Sequence, residues 1–426
     1  MKKISVLILI LFALFALTAC DNGSDIQAVQ APHPPEQSGN PSKRAVEASN
    51  IAAELRANTI TFETALFNAM PTDENYMISP FSLRMALAMA ANGAYGVTQA
   101  EILTALGIDD LDIFNQAAAA FIKNSNANEL VEFNIANSIW FNEDFFGCDE
   151  VGFSEAYRRI IADYFAGIAE RVGAKDGADI INAWISEQTR NRINNIIAED
   201  TFDEGSDTIA LLVNAIYFKG DWAYSFDADK TKDDIFTDRN GIRSNIPFME
   251  QTGRFSYYEN DYFQMLAKPY ADNNIRMYFV LPRGNERLPF DLFTGAIDNM
   301  WHAEVRFRLP RFRTEFLHSN LVDILKNMGV ETAFNRYVAD FLNMFDNLPS
   351  GWNAYIGDVF QKTFIEVDEE GTEAAAVTVV GVAVWESLPP PPIPPIPFYC
   401  DRSFIYFIRN DVTGDILFIG EFAFAE

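Results

Sequence analysis

The stretch Asp368–Trp385, DEEGTEAAAVTVVGVAVW, constrains the fold of this chain more than any other. It opens acidic and turn-like, then continues past Gly371 in small or β-branched residues with a single charge and no proline. Val, Thr and Ala over such a length suit a strand rather than a loop, and no hairpin turn brings the chain back. Directly after it, Pro389–Pro392 and Pro394-Pro395 cannot donate a ladder of hydrogen bonds and stay extended and solvated. Two readings follow: an ordinary buried strand, or a strand that has not yet been placed in a sheet.

Alternation sharpens the second. Thr372, Ala374, Ala376, Thr378, Val380, Val382 and Val384 share one face, all small or β-branched and none charged. That face can join a packed interior. The one acid, Glu373, falls on the other face with Ala375, Val377, Val379, Gly381 and Ala383.

The run Glu369-Glu370-Gly371-Thr372-Glu373-Ala374-Ala375-Ala376 resembles the hinge of the reactive-centre loop in inhibitory serpins. In that family the loop is bait for a protease, and after cleavage its hinge side inserts as a new middle strand of the main sheet. Further stretches resemble the family in order. Asn75–Ser82 leads into the apolar helix Leu83–Ala91, with Ser79 and Ser82 flanking Pro80 as capping hydroxyls. Glu101–Gly107 fits the next helix, and Ile181–Ile185 with Thr189 and Ile193 fits the helix lying across the sheet. Leu212–Trp222 reads as a buried strand and tight turn, with Trp222 where loop insertion begins. Lys268-Pro269-Tyr270 and Met277–Pro282 form a strand pair, and Arg306–Phe312 alternates around Leu309-Pro310. Leu325–Phe334 and the closing strand Ile416–Gly420 complete the series.

The resemblance covers roughly residues 50–426. It implies an α+β serpin fold: a large central mixed β-sheet, surrounding helices, smaller β-sheets and an exposed reactive-centre loop at about 368–398. It also implies a sheet-opening region at Ser79, Ser82, Asn214 and Gln361, and an insertion mouth at Trp222 and Arg311, where Arg311 pairs with Glu369. Three departures stand out. Gln361 occupies the place of a common family histidine, and a glutamine amide can still donate and accept. The arm before Phe398 is longer than usual, and Ser403 stands where the family often has proline. Counting forward from Gly371 puts the reactive bond at Trp385–Glu386, which suits a chymotrypsin-like target. One extra loop residue would move it to Glu386–Ser387 and a preference for acidic residues; a third choice, Leu388, abuts Pro389 and would be cut poorly.

The N-terminus adds an address. Met1-Lys2-Lys3 and the apolar run Ile4–Leu17 have the form of a signal peptide, too short to span a membrane with ease. The run ends Leu17-Thr18-Ala19-Cys20, which resembles a bacterial lipobox with Cys20 as the lipidated residue. The expected organisation is a signal peptide at 1–19, a lipid-anchored tether at 20–46 rich in Pro and polar residues, and a serpin domain at 47–426. This places the protein outside the cytoplasm, on the extracellular face or in a periplasm, touching the membrane through lipid alone. Asp21 favours the inner membrane if the cell has two. Cys148 and Cys400 can pair or stay free.

Composition closes off other classes. A chain of 426 residues, half of them apolar, can bury a large core, and its net charge of −28 excludes nucleic acid and anionic lipid surfaces as partners. Acidic pairs such as Asp109-Asp110 and Asp233-Asp234 carry little information at this acid content. His33 falls in the tether, and His302 and His318 read as helix or strand surface positions. No Ser-His-Asp spacing, metal cluster or glycine-rich phosphate loop stands out, so the expectation is a non-enzyme without a cofactor. The expected partner is a serine protease held as a covalent acyl-enzyme. The alternatives are a serpin-fold binding protein without inhibition, an inhibitor of cysteine proteases, and an anchored enzyme or solute-binding lipoprotein.

Overall fold

Ten of the twelve residues of the strand Ala210–Asp221 are buried, because the apolar run Leu211–Phe218 faces packed layers on both sides. This strand (β5) is the centre of a six-stranded mixed sheet. The computed structural model describes residues 62–425 apart from 127, 129, 145–150, 203–209, 285–286, 319–320, 350–353 and 373–393.

In the six-stranded sheet, β5 lies antiparallel to β2 (Val131–Asn142), which in turn lies parallel to β4 (Ile168–Val172). On the other side β5 runs parallel to β13 (Ile356–Val367), and β11 (Phe312–His318) closes that edge antiparallel to β13. A nine-stranded sheet has the order β1–β17–β16–β9–β8–β7–β10–β15, with β6 beside β7. Its strands are β1 (Tyr76–Ile78), β6 (Lys232–Thr237), β7 (Arg243–Glu259), β8 (Phe263–Pro269), β9 (Ile275–Pro282), β10 (Trp301–Pro310), β15 (Ile396–Tyr399), β16 (Phe404–Asn410) and β17 (Ile416–Phe422). A small pair joins β3 (Gly152–Phe153) to β12 (Phe345–Asp346).

The helices pack on both faces of the six-stranded sheet. A helical stretch at 62–69 (α1) precedes α2 (Pro80–Gly93), which is buried almost all round and lies beneath the sheet. Ser79 caps α2 by accepting from the Ser82 amide at 3.2 Å, and Pro80 takes the first helical position, where no N–H is needed. α3 (Gly96–Leu106), α4 (Leu111–Asn126) and α5 (Glu155–Phe165) follow. On the opposite face α6 (Gly177–Gln188) sets Ile181 and Ile185 against Trp140, Leu211 and Val213. α7 (Phe290–Ala296) and α8 (Leu321–Asn327) complete the set. The expected α+β architecture, a large mixed sheet with smaller sheets and surrounding helices, is the one observed.

Candidate functional site at the seam of the six-stranded sheet

Strand periodicity decides what meets beneath the sheet. Successive residues point to opposite faces, so on β5 Leu211, Val213 and Ala215 face α6 while Leu212, Asn214 and Ile216 face inward. The register then lines up four inward polar side chains across four strands: Asn137 opposite Asn214, Asn214 opposite Gln361, Gln361 opposite His318. All four are at most 1% exposed.

This row is hydrogen-bonded along its length and to the start of α2. Asn214 Nδ2 donates to Asn137 Oδ1 at 2.6 Å and to Ser82 Oγ. Gln361 Nε2 donates to Asn214 Oδ1 at 2.5 Å and to Ser79 O at 3.0 Å, while its Oε1 accepts from Ser79 N at 2.8 Å. Ser79 Oγ continues the chain to Leu417 O at 2.6 Å. His318 Nε2 lies 3.0 Å from Met77 O, which also accepts from Thr363 Oγ1 at 2.6 Å. Burial pushes the His318 pKa down to about 4, against the opposing pull of Met77 O. A buried polar network of this kind fixes one strand arrangement because every unmade bond is costly.

At the other end of the seam the two strands part. β5 and β13 pair directly only as far as Tyr217 and Phe364. Beyond that, the short strand β14 (Gly371–Thr372) lies between them, antiparallel to both, with Thr372 opposite Val367 on one side and Gly220 on the other. Gly371 is required by the close approach: a Cβ there would sit 2.6 Å from Asp221 Cα and collide with the Gly220 carbonyl. Thr372 is buried, and its Oγ1 lies 3.0 Å from Tyr270 Oη.

Trp222 holds the approach to this mouth. Its amide donates to Glu370 O at 2.8 Å and its indole Nε1 to Asp368 O at 3.1 Å. The indole stacks on Tyr270 with ring centroids 4.6 Å apart. Behind it sits Lys268, 1% exposed, with Nζ 4.2 Å from the Phe226 ring centre and 5.1 Å from that of Trp222. Its donors go to Tyr224 O and Gln251 Oε1, both at 2.7 Å. Burial pushes the Lys268 pKa well down, while the ring faces favour the cation and oppose that trend.

Arg311 and Glu369 meet at the same end. Arg311 Nε and Nη2 reach Glu369 Oε1 at 2.9 and 2.7 Å, and Thr231 Oγ1 donates to the same oxygen. Burial works against the Glu369 charge, but the guanidinium and the hydroxyl outweigh it and hold the carboxyl below its usual range.

Ser79, Ser82, Asn214 and Gln361 thus come together at one end of the seam, and Trp222, Arg311, Glu369, Glu370, Gly371 and Thr372 at the other. Glu373, Ala374, Ala375, Ala376, Trp385, Glu386, Ser387, Cys20 and Cys148 lie outside the described residues. One expectation is corrected: His318 is no surface residue, because the alternation on β11 turns it inward with Thr314 and Phe316, whereas His302 is exposed on β10. Asn137, Thr231, Lys268 and Tyr270 were missed. Asn137 was the findable one, a lone amide among apolar neighbours on the inward face of a buried strand.

A sheet whose own seam receives residues of its own chain defines a protein built to extend that sheet. The family model of the serpins (serine protease inhibitors) matches residues 57–424. The chain belongs to the serpin family. It is 33% identical over 380 residues to an uncharacterized serpin-like protein of Thermococcus kodakarensis, covering 85% of this chain and 83% of that one. Among solved structures, the thermophilic serpin tengpin in its native state matches with a TM-score of 0.77 at 30% identity, over 93% of this chain and 98% of its own. Human thyroxine-binding globulin complexed with thyroxine shares the fold at 22% identity and a TM-score of 0.74, over 88% of this chain and 98% of its own.

Proposed function

We propose that the chain inhibits a serine protease by trapping it on a cleaved, inserting reactive-centre loop. The observation that carries this reading is the seating of Gly371–Thr372 between β5 and β13, with Thr372 facing inward on the face whose later members are all small or β-branched. The protease serine Oγ attacks the Trp385 carbonyl carbon, the bond to the Glu386 nitrogen breaks, and that nitrogen leaves with a proton as a free amine. An ester joins the two proteins. Freed at that end, the segment after Thr372 continues the strand already begun.

The energetics favour completion. A dozen added residues, at about 1 kcal/mol net per backbone hydrogen bond, give on the order of 10 kcal/mol before side-chain burial. At ~3.3 Å per residue, Thr372–Trp385 spans roughly 45 Å, so the attached protease is carried the length of the sheet. The uncut protein is then kinetically trapped. The lipobox-like Leu17–Cys20 supports lipid anchoring outside the cytoplasm, and Trp385 supports a target with a large apolar pocket.

Incubation with a panel of serine proteases tests this. The expected result is an adduct that survives boiling in detergent, with a new N-terminus at Glu386 for a chymotrypsin-like enzyme. Cleavage in the loop without any adduct would overturn inhibition and leave a serpin-fold binding protein.

A further inference from the structure

Away from the seam, the nine-stranded sheet carries a cleft of about 650 Å³. Its walls are the β6–β7 hairpin, the chain following β9, and the turn Asp401–Ser403 between β15 and β16. In a chain of net charge −28, five guanidinium groups meet four carboxylates there. Three are matched: Arg308 donates to Asp234 at 2.5 Å, Arg402 to Asp401 at 3.2 Å, and Arg239 to Glu421. Asp238 is spent on the hairpin turn, accepting from the Ile242 amide at 2.7 Å. Arg243 and Arg287 have no carboxylate partner among the described residues.

Two buried atoms in the lining are also unpartnered. Glu421 is 2% exposed, and its Oε1 accepts from Arg239 and from Ser403 at 3.0 Å, yet its Oε2 has no partner. Arg287 is fixed by donating to Met70 O at 2.7 Å, Phe67 O at 2.5 Å and Tyr76 Oη at 2.7 Å, but its Nε has none. Buried polar atoms are rarely left so. The cleft therefore combines surplus positive charge, a spare donor and a spare acceptor. A simple anion meets the charge and the donor but leaves the acceptor. A neutral sugar meets donor and acceptor through its hydroxyls but leaves the charge.

We propose that this cleft binds a small polyhydroxylated carboxylate of the sugar-acid class, with the carboxylate on Arg243 and a hydroxyl between Glu421 and Arg287. The site stands apart from protease trapping, on a different sheet from the seam, and its test does not depend on inhibition. Titration calorimetry of the full-length protein with D-glucuronate, glucose and acetate at constant ionic strength decides it. Glucuronate is expected to bind saturably, with glucose and acetate at least about ten-fold weaker. Arg243→Met, at an exposed position on the cleft wall, is expected to weaken glucuronate by about ten-fold or more with an unchanged melting temperature. Three results would each overturn the proposal: no saturable heat at about 10 mM glucuronate, acetate binding as tightly as glucuronate, or undiminished binding by Arg243→Met.

Discussion

β5 and β13 border one seam, yet its two ends are built from opposite materials. Near Asn214 and Gln361 the strands are zipped directly, and amides bond across the join and down to Ser79 and Ser82. Near Gly220 and Val367 they are parted by Gly371–Thr372 and lined by the rings of Trp222 and Tyr270. Aromatic and hydroxyl surfaces tolerate a newcomer strand because little is lost when they shift. A fully bonded amide row does not, since each broken bond strands a buried group. The difference teaches where advance of the hinge begins and what halts it.

The sharpest way to break the comparison is to poison the permissive end. Thr372→Arg forces a charge into the interior beside Tyr270, and we expect a substrate that is cut but not trapped, with detergent-stable adducts reduced at least about ten-fold. Trapping equal to the parent's would remove the insertion role from Thr372. At the restrictive end, Asn214→Ala strips partners from Asn137, Ser82 and Gln361 together. A loss of about 4 kcal/mol in unfolding stability is expected, along with faster conversion of the uncut protein to an inserted form on native gels.

His318 tests the same row by pH. Its folded pKa of about 4 lies below the ordinary 6.5, so the unfolded chain takes up the proton first. Stability from this group is complete above about pH 6.5 and is lost as pH falls toward 4, by roughly 3 kcal/mol in all. Denaturant midpoints across that range should show the slope, and His318→Leu should flatten it. An unchanged slope in the variant would place the proton elsewhere.

Gly371→Val probes the open end more gently, since its side chain meets Gly220 and Asp221 backbone. Expulsion of the hinge should cost about 1–3 kcal/mol and change the emission of Trp222, whose indole donates to Asp368 O. The smallest effect belongs to Arg311 and Glu369. Arg311 is half exposed and solvent screens the pair, so a double-mutant cycle on spontaneous insertion should return a coupling of about 1 kcal/mol or less. Strict additivity would show that the pair does not hold the mouth.

Much of this was legible because the hinge and the strand around Asn214 carry short, position-bound patterns. Gly371 and Thr372 announce a tight approach followed by an inward face, and Asn214 and Gln361 are polar interruptions in apolar strands. What was not legible depends on register. Nothing local to His318 says that it will stand opposite Gln361, because the pairing of β11 with β13 joins segments forty residues apart in sequence. Lys268 looked like an ordinary strand lysine, since its ring partners Trp222, Phe226 and Phe255 come from other strands and turns. That Thr372 already sits in the sheet also lay beyond sequence, because the pattern describes a capacity to pair and not its extent.

The position of β15 has one more consequence. The segment on the far side of Trp385 runs directly into β15, β16 and β17, with β15 bonded to β10 and β16 clasped between β9 and β17. Phe404, Tyr406, Phe407 and Phe418 bury it in the body of the molecule. A nick at the bait therefore releases no fragment under gentle conditions: the protein will travel as one particle through a sizing column, and only unfolding will reveal that it has become two chains.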